Sequence, residues 1–192
     1  MAREEGYPAA VIASEARSLR SVSDWFTRYG FADVHDHLLV GAYPLDSRDV
    51  STLAHIGVRR VLNLTEDVEY PQGARAAVQD ALRAAAIEEH RVRFGDFGHL
   101  PADSLERAVS LVEAWLREGE LAYLHCRAGR QRSAAVAAGA LAFAEGLSID
   151  DALREVRRRK PTAEPLAHQI VDLRAWWAAR NGAGAARQPL RD

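Results

Sequence analysis

The residues that could do chemistry are concentrated near the middle of the chain, in the segment Leu124–Ser133 with the sequence LHCRAGRQRS. This segment lies between a short apolar stretch, predicted to be a buried strand, and an apolar helix. The backbone N–H groups of such a loop and the positive end of the helix can bind an oxyanion. Arg132 adds a planar fork for two phosphate oxygens, and Gly129 permits a close backbone approach. Cys126, at the mouth of this site, is expected to be a thiolate that can attack phosphorus.

Each of these residues also has an ordinary structural role. A lone cysteine is most often a small buried hydrophobic residue, and an arginine near a helix start is usually a surface charge. Those roles do not predict Cys126 and Arg132 at the two ends of a tight loop, with Gly129 between them and Ser133 after them. The pattern therefore favours catalysis. Cys126 is also the only cysteine, which excludes an internal disulfide and a multi-cysteine zinc site and predicts a reducing, cytoplasmic location.

The pattern His125-Cys126-x-x-Gly129-x-x-Arg132-Ser133 resembles the signature of the cysteine-based protein tyrosine phosphatase superfamily. Its mid-chain position, after a strand and before a core helix, is similar to the dual-specificity phosphatase branch. The resemblance covers roughly residues 38–177, and residues 41–44 (GAYP) and 57–64 (GVRRVLNL) are similar to the opening of that domain. It implies a metal-independent phosphomonoester hydrolase that forms a phosphocysteine intermediate and needs no cofactor.

The resemblance also implies a role for each residue of the loop. Cys126 is the nucleophile, and Ser133 donates a hydrogen bond to its sulfur and helps it to leave. His125 orients the loop and tunes the thiol. The substrate phosphate is expected to bind to the loop residues Arg127, Ala128, Gly129, Arg130, Gln131 and Arg132.

A phosphatase of this kind also needs a general acid to protonate the departing alkoxide. The resemblance implies an aspartate on a mobile loop about thirty residues before the cysteine, and Asp96 lies there. Gly95 and Gly98 flank it, as suits a loop that closes over substrate. Asp103 is the alternative, although it is predicted to cap the helix that Pro101 opens.

Length and composition indicate one globular domain with short extensions. The chain has 192 residues, of which 48% are hydrophobic and 27% charged, and its net charge is −2. These values exclude a disordered chain and a polycation that binds nucleic acid. No apolar run approaches the ~20 residues of a membrane span, and the N-terminus does not have the pattern of a secretory signal. Because predicted strands alternate with predicted helices, we expect an α/β fold with a central, mostly parallel β-sheet flanked by α-helices, as in dual-specificity phosphatases.

Three regions are predicted along the chain. Residues 1–31 form an N-terminal helical extension, residues 32–180 the phosphatase domain and residues 181–192 a flexible tail. The extension is expected to carry Val11, Leu19, Val22 and Phe26 on one face and to end near Gly30. Strands are expected at 38–41, 58–64, 88–94 and 121–124, and helices at about 47–57, 74–86, 101–119, 133–145, 148–160 and 166–180.

Two other functions are kept as alternatives. A metal-dependent hydrolase could use His35 and His37, because a His-x-His pair opens some hydrolase barrels. The chain is short for such a barrel of ~250 residues, no complementary ligands are found, and both histidines are expected in a turn before the first strand. The second alternative is a non-catalytic phosphate-binding module. Such modules usually lack the cysteine, the arginine or the aspartate, whereas here Cys126, Arg132 and Asp96 fill all three positions.

The substrate class is suggested by Arg127 and Arg130, the first and fourth variable positions of the loop. Members of the family that hydrolyse lipid and inositol phosphates often carry basic residues there, and residues 41–47 and 66–70 resemble phosphatidylglycerophosphate phosphatases. The substrate is therefore predicted to be a phosphoprotein or a polyanionic lipid or inositol phosphate. Alternatively, these arginines pair with the protein's own carboxylates, in the Glu66-Asp67 loop. The basic cluster at 154–160 is expected to be a solvated helix face, or else to hold a polyanionic substrate.

Overall fold

A five-stranded sheet, with the spatial order β1-β2-β5-β3-β4, forms the centre of the molecule. A computed structural model gives the structure and describes residues 22–185. The strands are β1 (Phe31–His35), β2 (Leu38–Ala42), β3 (Arg60–Asn63), β4 (Glu88–Arg91) and β5 (Ala122–Cys126). Strands β2, β5, β3 and β4 run parallel, and β1 pairs antiparallel with β2 at one edge. The prediction of an α/β fold with a mostly parallel sheet is confirmed.

Helices cover both faces of the sheet, as a parallel sheet requires. They are α1 (Asp24–Tyr29), α2 (Ser47–His55), α3 (Ala74–Ala84), α4 (Ala102–Glu118), α5 (Arg132–Ala144), α6 (Ile149–Arg159) and α7 (Ala167–Ala185). The two faces of β5 belong to two separate hydrophobic clusters. Leu124 packs in the cluster that holds α4 to α7, whereas its neighbour Tyr123 packs in the cluster that holds α1 to α3. Because successive side chains of a strand point to opposite faces, the central strand β5 packs against both layers of helices.

Helix α5 is the most deeply buried helix, and it begins at the candidate loop. Every residue from 132 to 142 in it is buried. Gly139 lets α5 approach its neighbours closely. A Cβ at this position would lie only 2.9 Å from Val109 of α4 and 3.2 Å from Trp176 of α7, too close for a side chain to fit. The tight packing fixes the position of the helix N-terminus and therefore of the loop that precedes it.

Within residues 22–185, no single helix is both long enough and apolar enough to span a membrane. Helices α5 and α6 meet that criterion only when taken together, and the chain bends by 119° between them.

The two ends of the domain differ from the sequence prediction. Strand β1 was not predicted, and His35 ends this strand instead of lying in a turn before the first strand. Gly30 does end α1, and Phe26 of α1 is 2% exposed in the core. Helix α7 continues to Ala185, past the expected end at residue 180. The predicted positions of Val11 and Leu19, and the tail from 186 to 192, lie outside the described residues.

Candidate active site

The phosphate loop, which we define as residues 127–131, joins the last residue of β5 to the first residue of α5. Gly129 in this loop has a φ of +68°, a conformation that favours glycine. A Cβ at this position would also overlap the backbone of Gly41, at 2.5 Å from its carbonyl oxygen. The Tyr43 N–H donates a hydrogen bond to the carbonyl of Arg127 at 3.1 Å. The loop is therefore held directly against strand β2 and the residues that follow it.

Cys126 lies at the base of this loop and is 3% exposed. Its Sγ is 3.2 Å from the Oγ of Ser133, the second residue of α5. Burial by itself raises the pKa of the thiol. The charge of Arg132 and hydrogen bonds from Ser133 and the Gln131 backbone outweigh burial, so the pKa of Cys126 is below its ordinary value. These contacts stabilise the ionised form of the sulfur relative to a free thiol, which is the direction that the sequence prediction requires.

Arg132 is 1% exposed and is bound by residues from two distant segments of the chain. Its two terminal nitrogens donate to the two carboxylate oxygens of Glu69, both at 2.7 Å, and one donates to the Phe94 carbonyl at 2.9 Å. Burial would lower the pKa of Arg132, but Glu69, Cys126 and Asp96 raise it above its ordinary value. The guanidinium therefore stays charged and fixed in orientation.

The Nε of Arg132 differs from the terminal nitrogens. It is buried and has no hydrogen-bond partner among the residues that the structure describes. Buried donors in native proteins nearly always have an acceptor, so such a group requires an explanation. It belongs to the same guanidinium whose charge lowers the pKa of the Cys126 thiol. An anion that binds at the thiol would supply the missing acceptor.

Asp96 is the second carboxylate at this guanidinium. Its Oδ1 lies 2.8 Å from Nη2 of Arg132, its Oδ2 lies 3.8 Å from Nη1 of Arg127, and its side chain is 26% exposed. The structure thus brings the predicted general acid to the phosphate loop. Asp103 is exposed in the first turn of α4, and Pro101, not Asp103, occupies the N-cap. The predicted capping role of Asp103 is therefore wrong.

The segment Phe94–Leu100, which we call the acid loop, carries Asp96. Its C-terminal half is bound to α7: the Gly98 carbonyl accepts hydrogen bonds from His168 at 3.1 Å and from Gln169 at 3.0 Å. The Leu100 N–H donates to Asp172 at 2.8 Å. No sequence pattern indicated these contacts, because they join residues about 70 positions apart.

His125 precedes the nucleophile and is 1% exposed. Its Nδ1 lies 3.3 Å from the carbonyl oxygen of Cys126, to which it can donate. Burial, aided by the charges of Arg75, Arg132 and Arg91, lowers the pKa of His125 to about 3. The ring is therefore neutral near pH 7 and orients the backbone of the loop.

The outer arginines of the loop contact the protein's own carboxylates. Arg130 pairs with Glu164 at 2.5 Å, and Arg127 lies near Asp96 and over the ring of Trp25. The prediction that Arg127 and Arg130 pair with the Glu66-Asp67 loop is wrong, because Asp67 instead pairs with Arg91 at 2.6 Å. The side chains of Arg127 and Arg130 remain about half exposed, at 49% and 47%.

The sequence interpretation missed Glu69. This residue ends a short 3-10 helix, Asp67–Glu69, and the backbone N–H of Glu66 donates to its carboxylate at 2.8 Å. A glutamate three positions after a capping residue was a visible signal for that turn. The pairing with Arg132, 63 positions away, was not visible.

His35 and His37, the alternative metal ligands, lie at the end of the sheet opposite to Cys126. The carbonyl of His37 accepts from the N–H of Ala122, which begins β5, whereas Cys126 ends the same strand. Nδ1 of His35 accepts a hydrogen bond from the backbone N–H of His37. Within residues 22–185, no group of three or more potential metal ligands occurs.

Comparison with known proteins gives a family match over most of the chain. The model of the dual specificity phosphatase catalytic domain matches residues 38–178. Phosphatidylglycerophosphatase and protein-tyrosine phosphatase 1 from Homo sapiens is 27% identical over 140 residues, which cover 72% of this chain and 66% of that protein, slightly less than two thirds of its length. Dual specificity phosphatase 28 from Mus musculus is 36% identical over 88 residues, or 45% of this chain and 54% of that protein.

Solved structures show the same fold. The crystal structure of Tk-PTP in its active form has a TM-score of 0.67 and 26% identity, and the match covers 76% of this chain and 95% of that one. The crystal structure of PTPMT1 has a TM-score of 0.70 and 22% identity, with 82% and 99% covered. The family model includes the phosphate loop, Cys126 and Arg132. The chain therefore belongs to the dual-specificity branch of the cysteine-based phosphatase superfamily.

Proposed function

We propose that the protein hydrolyses a phosphate monoester through a phosphocysteine intermediate without a metal ion, and that its substrate is a polyanionic lipid or inositol phosphate. One observation supports the proposed mechanism. The buried Nε of Arg132 has no acceptor among the described residues, on a side chain whose charge lowers the pKa of the Cys126 thiol. A phosphate group fits both, because one of its oxygens can accept from Nε and its phosphorus is the atom that a thiolate attacks.

In the first step, the Cys126 sulfur attacks phosphorus, and the bond to the ester oxygen breaks. Asp96 transfers its proton to that oxygen as the alcohol leaves. Arg132 and the N–H groups of the phosphate loop hold the equatorial oxygens, which carry the charge of the transition state. The phosphate must share Arg132 with Asp96, which is bound to it at 2.8 Å. Glu69 keeps the guanidinium in place during this exchange.

In the second step, a water molecule attacks the phosphorus of the phosphocysteine. Asp96, now ionised, takes a proton from that water, and the S–P bond breaks. The Ser133 hydroxyl, 3.2 Å from the sulfur, donates to the departing thiolate. Inorganic phosphate leaves, and both Cys126 and Asp96 return to their starting states.

Two features support a lipid substrate. Several relatives are named phosphatidylglycerophosphatases or phosphatidylglycerophosphate phosphatases, from Homo sapiens to Arabidopsis thaliana. Two exposed apolar residues are also chain neighbours of the carboxylates that bind Arg132: Val68, at 88%, precedes Glu69, and Phe97, at 65%, follows Asp96. We propose that the hydrocarbon part of a lipid contacts these two side chains.

Turnover of para-nitrophenyl phosphate in the presence of EDTA tests the mechanism. We expect activity to persist in EDTA and Cys126→Ser to abolish it, because a serine hydroxyl is not ionised at this site. The variant should still bind inorganic phosphate, since the loop and Arg132 remain. Loss of activity in EDTA would indicate a metal hydrolase using other residues such as His35 and His37. Phosphate binding without any turnover by the wild type would indicate a non-catalytic module.

A phosphoprotein substrate is the second candidate, favoured by the match to dual specificity phosphatase 28. The two candidates are separated by comparing kcat/KM for phosphatidylglycerophosphate and phosphoinositides in mixed micelles with kcat/KM for phosphotyrosine and phosphothreonine peptides. We expect at least one lipid to exceed every peptide by roughly tenfold or more, the size of one charge-assisted contact. A peptide that exceeds every lipid would contradict the lipid assignment and leave the mechanism intact.

A further inference from the structure

Helix α1 precedes residues 38–178, which match the family model, yet it is firmly attached to the domain. The N–H and the hydroxyl of Ser23, which caps α1, both donate to the carboxylate of Asp49 in α2, at 2.8 and 2.7 Å. Ser23 and Asp49 are buried, and so is Phe26 on the inner side of α1. Because buried hydrogen bonds to a carboxylate are costly to break, α1 has a fixed position in the domain.

Trp25 brings α1 into contact with the phosphate loop. The Cζ of Arg127 lies 5.8 Å from the centre of the indole ring, within the range of a cation–π interaction. The ring of Tyr43 stacks on the same indole, with 5.2 Å between the ring centres and 23° between the planes. The Tyr43 N–H in turn donates to the carbonyl of Arg127 at 3.1 Å. Trp25 and Tyr43 thus fix both the guanidinium and the backbone of Arg127.

The guanidinium of Arg127 points toward the proposed general acid. Its Nη1 lies 3.8 Å from Oδ2 of Asp96. Within residues 22–185, Asp96 is the only carboxylate that forms an ion pair with Arg127. Arg130, the other outer arginine of the loop, pairs instead with Glu164, which is 70% exposed. The two outer arginines therefore differ in their partners, and only Arg127 is connected to the acid.

The contact between Arg127 and Asp96 becomes important when substrate binds. In the proposed mechanism the phosphate displaces Asp96 from Arg132, to which Asp96 is bound at 2.8 Å. The contact with Arg127 is then the one that remains. A protonated Asp96 still has a carbonyl oxygen that can accept from Arg127, and the carboxylate formed by proton transfer pairs with it more strongly. Arg127 can therefore keep Asp96 at the pocket mouth while the proton is transferred.

We propose that Trp25 is a positioning residue for the general acid. Its indole holds Arg127 at the pocket mouth, and Arg127 holds Asp96 there once phosphate occupies Arg132. Helix α1, which lies outside the family match, thereby contributes to the proton-transfer step. This inference rests on the proposed function, because it requires that Asp96 be the acid. It applies equally to lipid and to protein substrates.

The test compares kcat/KM for phenyl phosphate, whose leaving group is the stronger base, with kcat/KM for para-nitrophenyl phosphate. The test variant Trp25→Met keeps an apolar side chain against Tyr43 but removes the aromatic face. We expect the ratio of the two constants to fall roughly 2- to 30-fold, the effect of one cation–π contact, because only phenyl phosphate depends on the acid. The inhibition constant of inorganic phosphate should stay as in the wild type, since Arg132 and the loop N–H groups remain.

Two further variants serve as controls. Trp25→Phe retains an aromatic face and should restore most of the ratio. The indole N–H of Trp25 has no hydrogen-bond partner among the described residues, so phenylalanine removes no hydrogen bond seen there. Phe143→Leu removes the same kind of contact at the other end of α5, where Arg117 and Arg180 lie 5.3 and 5.0 Å from the ring centre. That variant should keep the wild-type ratio.

A double-mutant cycle tests whether Trp25 acts through Arg127. Arg127→Gln by itself should lower the ratio, because Asp96 then loses its remaining contact. In that background Trp25→Met should lower the ratio no further, since the residue through which it acts is already absent. The single variant Arg127→Gln leaves α1 unchanged, so it tests the second link of the inference even if Trp25→Met does not fold.

A wild-type ratio in Trp25→Met or in Arg127→Gln would overturn the inference, as would an undiminished effect of Trp25→Met in the Arg127→Gln background. Asp96→Ala separates this inference from the proposed function. If Asp96→Ala lowers the ratio and Trp25→Met does not, the general acid stands and the role of Trp25 fails. If Asp96→Ala also keeps the wild-type ratio, the assignment of the acid fails and this inference fails with it.

Discussion

Two carboxylates bind the same guanidinium from different loops, and they differ in burial and in the number of bonds they make. Glu69 is 4% exposed and holds both terminal nitrogens of Arg132. Asp96 is 26% exposed and holds one of them. A buried bidentate pair is rigid and costly to break, whereas a single contact at the pocket mouth can exchange with a ligand. We infer that Glu69 positions Arg132 permanently and that Asp96 is the group that moves.

The surroundings of the two loops agree with that division. The turn that carries Glu69 is closed by its own capping hydrogen bonds, and the Tyr43 hydroxyl donates to the Glu69 carbonyl at 3.3 Å. The acid loop is fastened on both sides of Asp96: the Phe94 N–H donates to the Leu64 carbonyl at 3.1 Å, and Gly98 and Leu100 bind α7. Phe97 has a φ of +56°, uncommon for a residue with a side chain. The strained and exposed residue Phe97 is thus the direct neighbour of Asp96, the residue inferred to move.

The largest expected effect is that of Asp96→Ala on an alkyl phosphate. Its kcat should fall by about 10²–10⁴, because the alkoxide then leaves without a proton. The loss should be much smaller for para-nitrophenyl phosphate, whose leaving group needs no proton. Steady-state kinetics on both substrates check this. Equal losses on the two substrates would mean that the general acid lies elsewhere, and that Asp96 does not differ from Glu69 in the way inferred above.

Glu69→Gln should give a smaller effect that does not depend on the leaving group. Loss of one charged contact to Arg132 costs about 1.5–3 kcal/mol, or roughly 10- to 150-fold in kcat/KM. Alkyl and aryl phosphates should lose the same factor, because Arg132 serves both. The free energy of unfolding should also fall, since a buried pair is broken.

The matched control for that stability effect is Glu164→Gln. Glu164 also pairs with an arginine of the phosphate loop, but its side chain is 70% exposed. Chemical denaturation should show a change within about 1 kcal/mol for this exposed pair. A Glu69→Gln protein as stable as the Glu164→Gln protein would argue against a permanent structural role for Glu69.

The smallest expected effect is that of Asp172→Ala, which frees the C-terminal half of the acid loop. Loss of its hydrogen bond to the Leu100 N–H costs about 1 kcal/mol, so kcat for an alkyl phosphate should fall several-fold. The aryl phosphate should change less, because the substitution acts through Asp96. Val171→Ala on the same helix, where the side chain is 62% exposed, is the control. A uniform loss on both substrates would show that α7 acts on the whole site.

The elements around the nucleophile were predictable because their signals are local. An apolar strand, a loop with a glycine and an apolar helix follow one another from 121 to 145, and the structure has β5, the phosphate loop and α5 there. Asp96 was predicted from the position that the family resemblance implies for the general acid, together with its flanking glycines. Strand β1 was missed because residues 31–35, FADVH, show no clear alternation and their pairing with β2 is a tertiary contact.

The sequence by itself was enough to single out Cys126, Arg132 and Asp96 as candidates and to predict the strand, loop and helix that present Cys126 and Arg132. Only the tertiary structure decided that Glu69 holds Arg132, that Gly41 makes room for Gly129, that α7 fastens the acid loop and that Trp25 packs beside the phosphate loop. The physical reason is the range of the interactions. Capping, periodicity and loop chemistry act within a few residues, whereas ion pairing and close packing join residues that only the folded chain brings together.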